Sequence, residues 1–260
     1  MGKPLKSPPV YFTLVQVRYN ELLNLPDYLP TVQERFRKLG YPAFSKNTAY
    51  TLHMSMQDGQ LVPQPQQREQ YTFGNIERTH SFVLNTDALT FQSTNYGTFE
   101  AFSNSFLSGL SLLDGAVGLD FTDRVGLRYL DYIEPKAGES LGDYLVNEAL
   151  GLGGSLGGTA LHSYAETLRA IDDSRLLARV VIQDDGSLFP PDLMPVHLVV
   201  DQRFTKSQGQ HAILDTDAFF AGRELFSLDE LRSRLVGLHA IVSESFKSMT
   251  TDYARSVWGK

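Results

Sequence analysis

The stretch GLGGSLGGTALHSY, residues 151–164, places five glycines in eight positions and then continues into a threonine and a histidine. A dinucleotide-binding fingerprint needs glycines at offsets 0, 2 and 5 between a strand and a helix, but offset 5 from Gly151 is Leu156. A P-loop needs a lysine after its last glycine, whereas Thr159 follows Gly158. The stretch is therefore predicted to be a hinge after a helix, with an anion-binding nest of backbone N–H groups as the less favoured alternative.

The predicted elements have the same order on both sides of the hinge: several strands followed by one long helix. In the first part, Thr98 is the expected N-cap of an amphipathic helix that stops at Gly115. In the second part, Ser227 and Glu230 form a capping box that opens the last helix. The pattern predicts an α+β fold with antiparallel sheets, each packed by a long amphipathic helix, and it is compatible with two similar lobes. The predicted units are an N-terminal lobe at 1–150, a glycine-rich hinge at 151–158 and a C-terminal lobe at 159–260.

Runs of β-branched and aromatic residues with partial alternation predict the strands. The polar stretch at 57–70, rich in Gln and Pro, is expected to be an exposed loop. Helices are predicted at 28–39, 98–115 and 139–150 and after residue 227. Strands are predicted at 10–19, 48–56, 70–77, 80–86, 88–93, 122–133, 159–171, 175–184, 195–205 and 210–219.

The composition is that of an ordinary globular protein. Of 260 residues, 42% are hydrophobic and 20% are charged, and the net charge of −7 argues against nonspecific nucleic-acid binding. The sequence contains no cysteine, which excludes disulfides and thiolate metal ligands and agrees with a cytoplasmic location. The apolar run near the N-terminus is interrupted by Pro8, Pro9 and Arg18, so no membrane attachment is expected.

The stretch VGLRYLDYIEP, residues 125–135, is the most informative for a binding site. On a strand, Arg128, Tyr132 and Glu134 share one face, and Arg18 of the first strand is a candidate neighbour. Such a set can bind a carboxylate or serve in acid–base chemistry. A cross-strand salt bridge at the sheet surface is the simpler alternative and the favoured one.

Three further residues are candidates for a protein interface. Tyr129 and Asp131 alternate with the set above and face the other way, and Tyr19 lies next to Arg18. Exposed aromatic side chains are typical anchors of protein–protein interfaces.

Signals for catalysis or a metal are weak. His211, Asp215 and Asp217 can share one side of a strand, which makes them weak candidates for metal ligands. The polar face of a hairpin has the same pattern and is the favoured alternative. The sequence has no nucleophile elbow and no metal-binding histidine spacing, so we assign no catalytic residue and expect no cofactor or metal.

Three segments carry a resemblance to a known family. They are PLKSPPVYFTLVQVRY at 4–19, GLRYLDYIEP at 126–135 and LHAIVSESFKSMTTDYA at 238–254. Together they resemble a sporadically distributed bacterial family of about this length with a central Gly-Leu-Arg-Tyr motif and no assigned function. Asp131 stands where that family typically has an asparagine. The resemblance implies a bacterial cytoplasmic protein from a mobile or defence-related gene neighbourhood, and it supplies no catalytic residue.

Two functions are consistent with these observations. The leading hypothesis is a non-catalytic module that binds a protein partner or a second copy of itself, such as an antitoxin, an immunity protein or a defence-complex subunit. The alternative is an enzyme or sensor for a small molecule, with a site between the lobes around Arg18, Arg128 and Glu134. Nucleic-acid binding is disfavoured by the acidic charge.

Overall fold

The computed structural model describes residues 5–57, 60–156, 158, 161–184, 186–193, 195, 197–205 and 209–259, with side chains outside 49–57 and 60–68. The strands are β1 (Val10–Tyr19), β2 (Ala43–Gln57), β3 (Gln60–Gly74), β4 (His80–Asn85), β5 (Ala88–Ser93), β6 (Phe121–Ile133), β7 (His162–Ile171), β8 (Ser174–Gln183) and β9 (His211–Leu225). The helices are α1 (Leu25–Lys38), α2 (Phe99–Val117), α3 (Leu141–Tyr144), α4 (Asn147–Leu150), α5 (Gln202–Thr205), α6 (Leu228–Met249) and α7 (Asp252–Trp258), with a 3-10 turn at Gly151–Gly154.

The nine strands among the described residues form one antiparallel sheet in the order β2-β3-β4-β5-β1-β6-β9-β8-β7. The sheet is continuous through the pairing of β6 with β9, which lie on opposite sides of the predicted hinge in the sequence. The expectation of separate sheets, each packed by its own helix, is therefore wrong. The order of strands and helices along the sequence predicts the elements. It does not predict which strands pair, because pairing depends on contacts between residues distant in sequence.

The division into lobes at 1–150 and 159–260 stays a prediction, as does the hinge role of 151–158. Part of that segment is described: α4 is followed directly by the 3-10 turn, with Gly151 at a φ of +61°. Gly157 and residues 159–160 lie outside the described residues.

Local sequence signals account for the helix ends. Thr98 accepts a hydrogen bond from the Ala101 N–H, and Ser227 accepts one from the Glu230 N–H, which confirms both predicted N-caps. The stop predicted at Gly115 is wrong, because α2 continues for half a turn to Gly118. There the backbone turns away with a φ of +66°, a conformation that glycine adopts without strain.

The 57–70 segment is not a loop, because nearly all of it forms β3, which pairs with β2 as far as Gln60. β4 pairs only with Tyr71–Gly74, so the earlier residues of β3 have a free side. Pro63 and Pro65 lie in this part, and proline, which has no N–H group to donate, is found in sheets mainly at such edges. The strand predicted at 195–205 is also wrong: its described part is irregular apart from the single turn α5.

The helices leave one face of the sheet partly uncovered. α1, α2 and α6 pack on one face and bury the main core, which is rich in Phe side chains such as Phe36, Phe82 and Phe106. α3, α4 and α7 enclose a second cluster around Trp258. On the opposite face, the segment at 186–205 covers one end of the sheet over a smaller cluster. No described helix or loop covers the rest of that face, where the site described next lies.

Candidate functional site

A cleft of about 470 Å³ lies on the open face of the sheet. Its floor comes from alternate residues of the central strands, and one wall comes from the 186–193 segment. The volume is in the range of small-molecule sites. The charged lining residues are Arg124, Arg128, Asp192 and Asp217, the uncharged polar ones are Gln16, Gln70, Asn85, Thr90 and Gln92, and the apolar ones are Leu14, Val83 and Leu193.

Arg128 is the most firmly held charge in the cleft. Its Nε and Nη2 donate to the two carboxylate oxygens of Asp215 at 2.6 and 2.7 Å, and its Nη1 donates to Asp192 at 2.6 Å. Burial opposes the charge on Arg128, but the hydrogen bonds to Asp215 and Asp192 outweigh it and hold the pKa above the ordinary value. Asp215 also accepts a bond from Arg179 Nη1 at 3.0 Å. The guanidinium is therefore fixed in place at the floor of the cleft.

Asp192 reaches this guanidinium from the irregular segment rather than from the sheet. Its side chain is 56% exposed, and the hydrogen bond from Arg128 lowers its pKa below the ordinary value. The pair joins the wall of the cleft to its floor.

The second arginine is held less tightly. Arg124 Nη2 lies 3.3 Å from Asp217 Oδ2, its Nη1 lies 3.4 Å from Gln16 Oε1, and its guanidinium stacks on the Phe219 ring. Burial raises the pKa of Asp217 even though Arg124 and Arg128 oppose the shift. A Cβ at Gly126 would lie 2.8 Å from Arg124 Nη1, so glycine at this position leaves room for the side chain to cross the strand.

The uncharged part of the lining contains an unsatisfied acceptor. Gln16 Nε2 donates to Thr90 Oγ1 at 2.9 Å, and Gln70 Nε2 donates to Asn85 Oδ1 at 3.4 Å. Gln92 Oε1 is buried and accepts no hydrogen bond from any residue that the structure describes. Buried polar atoms are nearly always paired, so this oxygen is an unsatisfied acceptor on a residue that lines the cleft.

The structure brings one of the four predicted ligand-binding residues into the cleft. That residue is Arg128. Arg18 is on β1 but half-exposed, with its guanidinium 3.6 Å from Asp87. Tyr132 shares a face with Arg128 but packs in the aromatic cluster at the end of the sheet, and Glu134 is exposed just beyond β6. The cleft lies on one sheet face, and its lining comes from both predicted units, with Arg128 from the first and Asp192 and Asp217 from the second.

The three predicted interface residues are buried within the chain. Tyr19, Tyr129 and Asp131 are 2, 6 and 7% exposed. Tyr129 donates to the Tyr96 hydroxyl at 2.8 Å on the helix side of the sheet. Alternation along β6 is observed as expected, but helices cover the face that carries Tyr129 and Asp131, so these side chains are not on the surface.

The weak metal candidates are held by other partners. Asp215 binds Arg128 and Arg179, Asp217 binds Arg124, and His211 lies against Gln183 with its Nε2 at 3.2 Å from the amide nitrogen. Within the described ranges, no three His, Asp or Glu side chains are grouped so that they could hold a metal ion.

The sequence reasoning missed the uncharged lining residues and two of the four charged ones, Arg124 and Asp192. Arg124 precedes Arg128 by four positions on the same strand, so extending the alternation of β6 by two steps would have found it. Asp192 lies in the proline-rich stretch FPPDLMP, which has no periodicity from which its position could be predicted.

Comparison with known proteins gives no further guidance. No protein-family model matches the sequence, and neither does any curated protein. The resemblance to a bacterial family and its implications therefore stay predictions. Among the described residues, every helix is too short or too polar to cross a membrane.

Proposed function

We propose that the protein binds a polar small molecule in the cleft on the open face of the sheet. One observation carries the proposal: a cleft of about 470 Å³ into which two guanidinium groups and two carboxylates converge. Pockets of this size with a few oriented polar groups are typical ligand sites.

The lining is organised before any ligand arrives, which supports the proposal. Arg128 is fixed by two carboxylates, and Gln16 is oriented between Thr90 and Arg124. Side chains that are already ordered lose little conformational entropy on binding, so more of the interaction energy appears as affinity.

A second candidate function is the binding of a protein partner, in the manner of an antitoxin, an immunity protein or a defence-complex subunit. It is favoured by the outermost strand β7, which pairs with β8 on one side. Leu161, Tyr164 and Leu168, in or next to this strand, are 71, 54 and 61% exposed. Exposed apolar side chains at a sheet edge are typical of surfaces that bind other chains.

Ligand binding in the cleft can be tested by thermal shift, with a variant in which a bulky side chain blocks the cleft. We expect a subset of a panel of sugars, amino acids, dipeptides, carboxylates and mononucleotides to raise the melting temperature of the wild-type protein, because a ligand that binds only the folded state stabilises it. Gln70→Trp places an indole in the cleft and should abolish the shift. Gln33→Trp, on α1 behind the sheet, is the matched control and should retain it.

Two outcomes would contradict the proposal. One is a panel in which no compound shifts the wild-type melting temperature. The other is a shift that survives unchanged in Gln70→Trp, which would place binding elsewhere on the molecule. Circular dichroism of both variants establishes that they fold.

A further inference from the structure

The charges that line the cleft are already balanced. Arg128 lies 2.6 Å from Asp192, and Arg124 lies 3.3 Å from Asp217, so each lining guanidinium has a carboxylate beside it. A ligand with a net charge would either add an unbalanced charge to this lining or displace a carboxylate, such as that of Asp192, from its guanidinium group. Separating a partly buried pair in this way is unfavourable. The described lining therefore favours a ligand without net charge.

The uncharged lining offers acceptors and donors side by side. Gln92 Oε1 is a buried acceptor without a described partner. The Thr90 hydroxyl accepts from Gln16, which leaves its own proton to donate, and Asn85 Oδ1 accepts from Gln70, which leaves the Asn85 NH₂ group to donate. Carboxylates and phosphates only accept, and an ammonium group only donates. A hydroxyl group does both from one atom, and so fits every position along this wall.

The backbone of the floor is not available to a ligand. β5, β1 and β6 are each paired on both sides, so their N–H and C=O groups are used within the sheet. An extended peptide cannot add to these strands, and recognition has to come from side chains. Amide, carboxylate and guanidinium groups each present two polar atoms in a plane, a geometry that suits two adjacent hydroxyl groups.

We propose that the cleft binds a neutral, polyhydroxylated molecule of the sugar or cyclitol class. This inference rests on the proposed function and specifies its ligand. Gln92 is the specificity-determining residue, because its carbonyl oxygen can only accept a hydrogen bond and so selects a donor such as a hydroxyl group over a carboxylate or phosphate group at that position.

A series of sugars that differ in charge tests the proposed ligand class. Glucose and sucrose, glucosamine, glucuronate and glucose 6-phosphate are titrated calorimetrically into the wild-type protein, with glycine and Gly-Gly as zwitterionic and peptide probes. At least one neutral sugar should bind about tenfold more tightly than the charged probes, the ratio expected when one charged pair is disturbed. Tighter binding of a charged sugar, glycine or Gly-Gly in the cleft would overturn the polyol class and leave the proposed function standing. Absence of binding by all seven probes would contradict the polyol class, and the wider panel above would then decide whether the cleft binds anything.

Substitution of Gln92 tests the acceptor. Gln92→Leu removes the carbonyl oxygen and should weaken neutral-sugar binding about tenfold, the effect of losing one hydrogen bond. The matched control Gln33→Leu, on α1, should leave the affinity unchanged. Gln92→Glu keeps an acceptor and adds a negative charge, so the ratio of glucosamine to glucose affinity should rise. Unchanged sugar affinity in Gln92→Leu would overturn the assignment, and if that variant does not fold, an unchanged ratio in Gln92→Glu would overturn it.

Discussion

Asp131 is a carboxyl group buried where no described residue forms a hydrogen bond or ion pair with it. Its side chain is on the helix side of β6, and the residue is 7% exposed. Burial raises its pKa from 3.8 to about 7. In the unfolded chain the group ionises near its ordinary value, so the folded state favours the protonated form. The corresponding contribution to stability is fully present below about pH 4 and is lost as the pH rises through about 7.

Asp131→Asn should therefore stabilise the protein in a pH-dependent way. Near pH 4 the variant and the wild type should unfold with similar free energies, whereas at pH 8 the variant should gain up to about 4 kcal/mol, at 1.36 kcal/mol for each pKa unit. Urea denaturation across this range measures the difference. Asp123→Asn makes the same change at a less buried position of β6 and should show a much smaller trend. A gain of the same size at pH 4 and pH 8 would exclude burial of the charge as its cause.

Single residues also show where sequence reasoning reaches its limit. The alternation of β6 correctly places Arg128 and Tyr132 on one face and Tyr129 and Asp131 on the other. It does not say which face a helix covers, because that depends on the packing of α2 and α6. For this reason the sequence did not reveal that Tyr129 and Asp131 are buried.

At the scale of elements, α2 lies unusually close to the sheet at Gly109. A Cβ at this position would come within 2.3 Å of the Phe82 ring and 3.1 Å of Phe36. Both rings are fully buried in the main core and cannot move away without disturbing their neighbours. The glycine thus sets the distance between helix and sheet.

Alanine substitutions on two helices should have opposite effects. Gly109→Ala overpacks the core and should lower the free energy of unfolding by about 1–3 kcal/mol. A Cβ at Gly237, in the middle of α6, meets nothing within 4 Å, so Gly237→Ala should raise it by about 0.5–1 kcal/mol through helix propensity. Guanidinium denaturation measures both. Equal effects in the two variants would contradict the close approach of α2.

The elements predicted from sequence failed where tertiary contacts override local signals. The helix predicted at 139–150 is interrupted at Leu145, whose backbone bridges to Thr250 near the start of α7, so two one-turn helices form instead. The Gln- and Pro-rich stretch became β3 because β2 offered it a complete partner strand. By contrast, β1 was predicted at its observed limits, since it is a run of β-branched and aromatic residues with partial alternation.

At the scale of the whole molecule, one sheet carries all the large hydrophobic clusters. The main core and the second cluster both pack against β6 and β9, which join the two halves of the sequence. No apolar core described in the structure belongs wholly to residues before or after the glycine-rich stretch. This continuity favours cooperative folding of the whole sheet.

The protein should accordingly unfold in one transition. Trp258 is the only tryptophan and packs against Tyr144 and Phe246 in the second cluster, so its fluorescence follows that part of the molecule. Far-ultraviolet circular dichroism follows the whole sheet. The two denaturation curves should superimpose. A fluorescence transition at lower denaturant would instead support two separate lobes divided near 151–158.

The central position of β1 has a consequence for synthesis on the ribosome. β1 is made before its neighbours β5 and β6. β6 in turn lacks its second neighbour until β9 has been made. At about 5–20 residues per second, several seconds separate the emergence of Ile133 from that of His211. During this interval the backbone N–H and C=O groups on the β9 side of β6 have no partner strand. Because an unpaired strand edge is a template for pairing with another chain, we expect β6 to be the segment of the nascent chain most prone to aggregation.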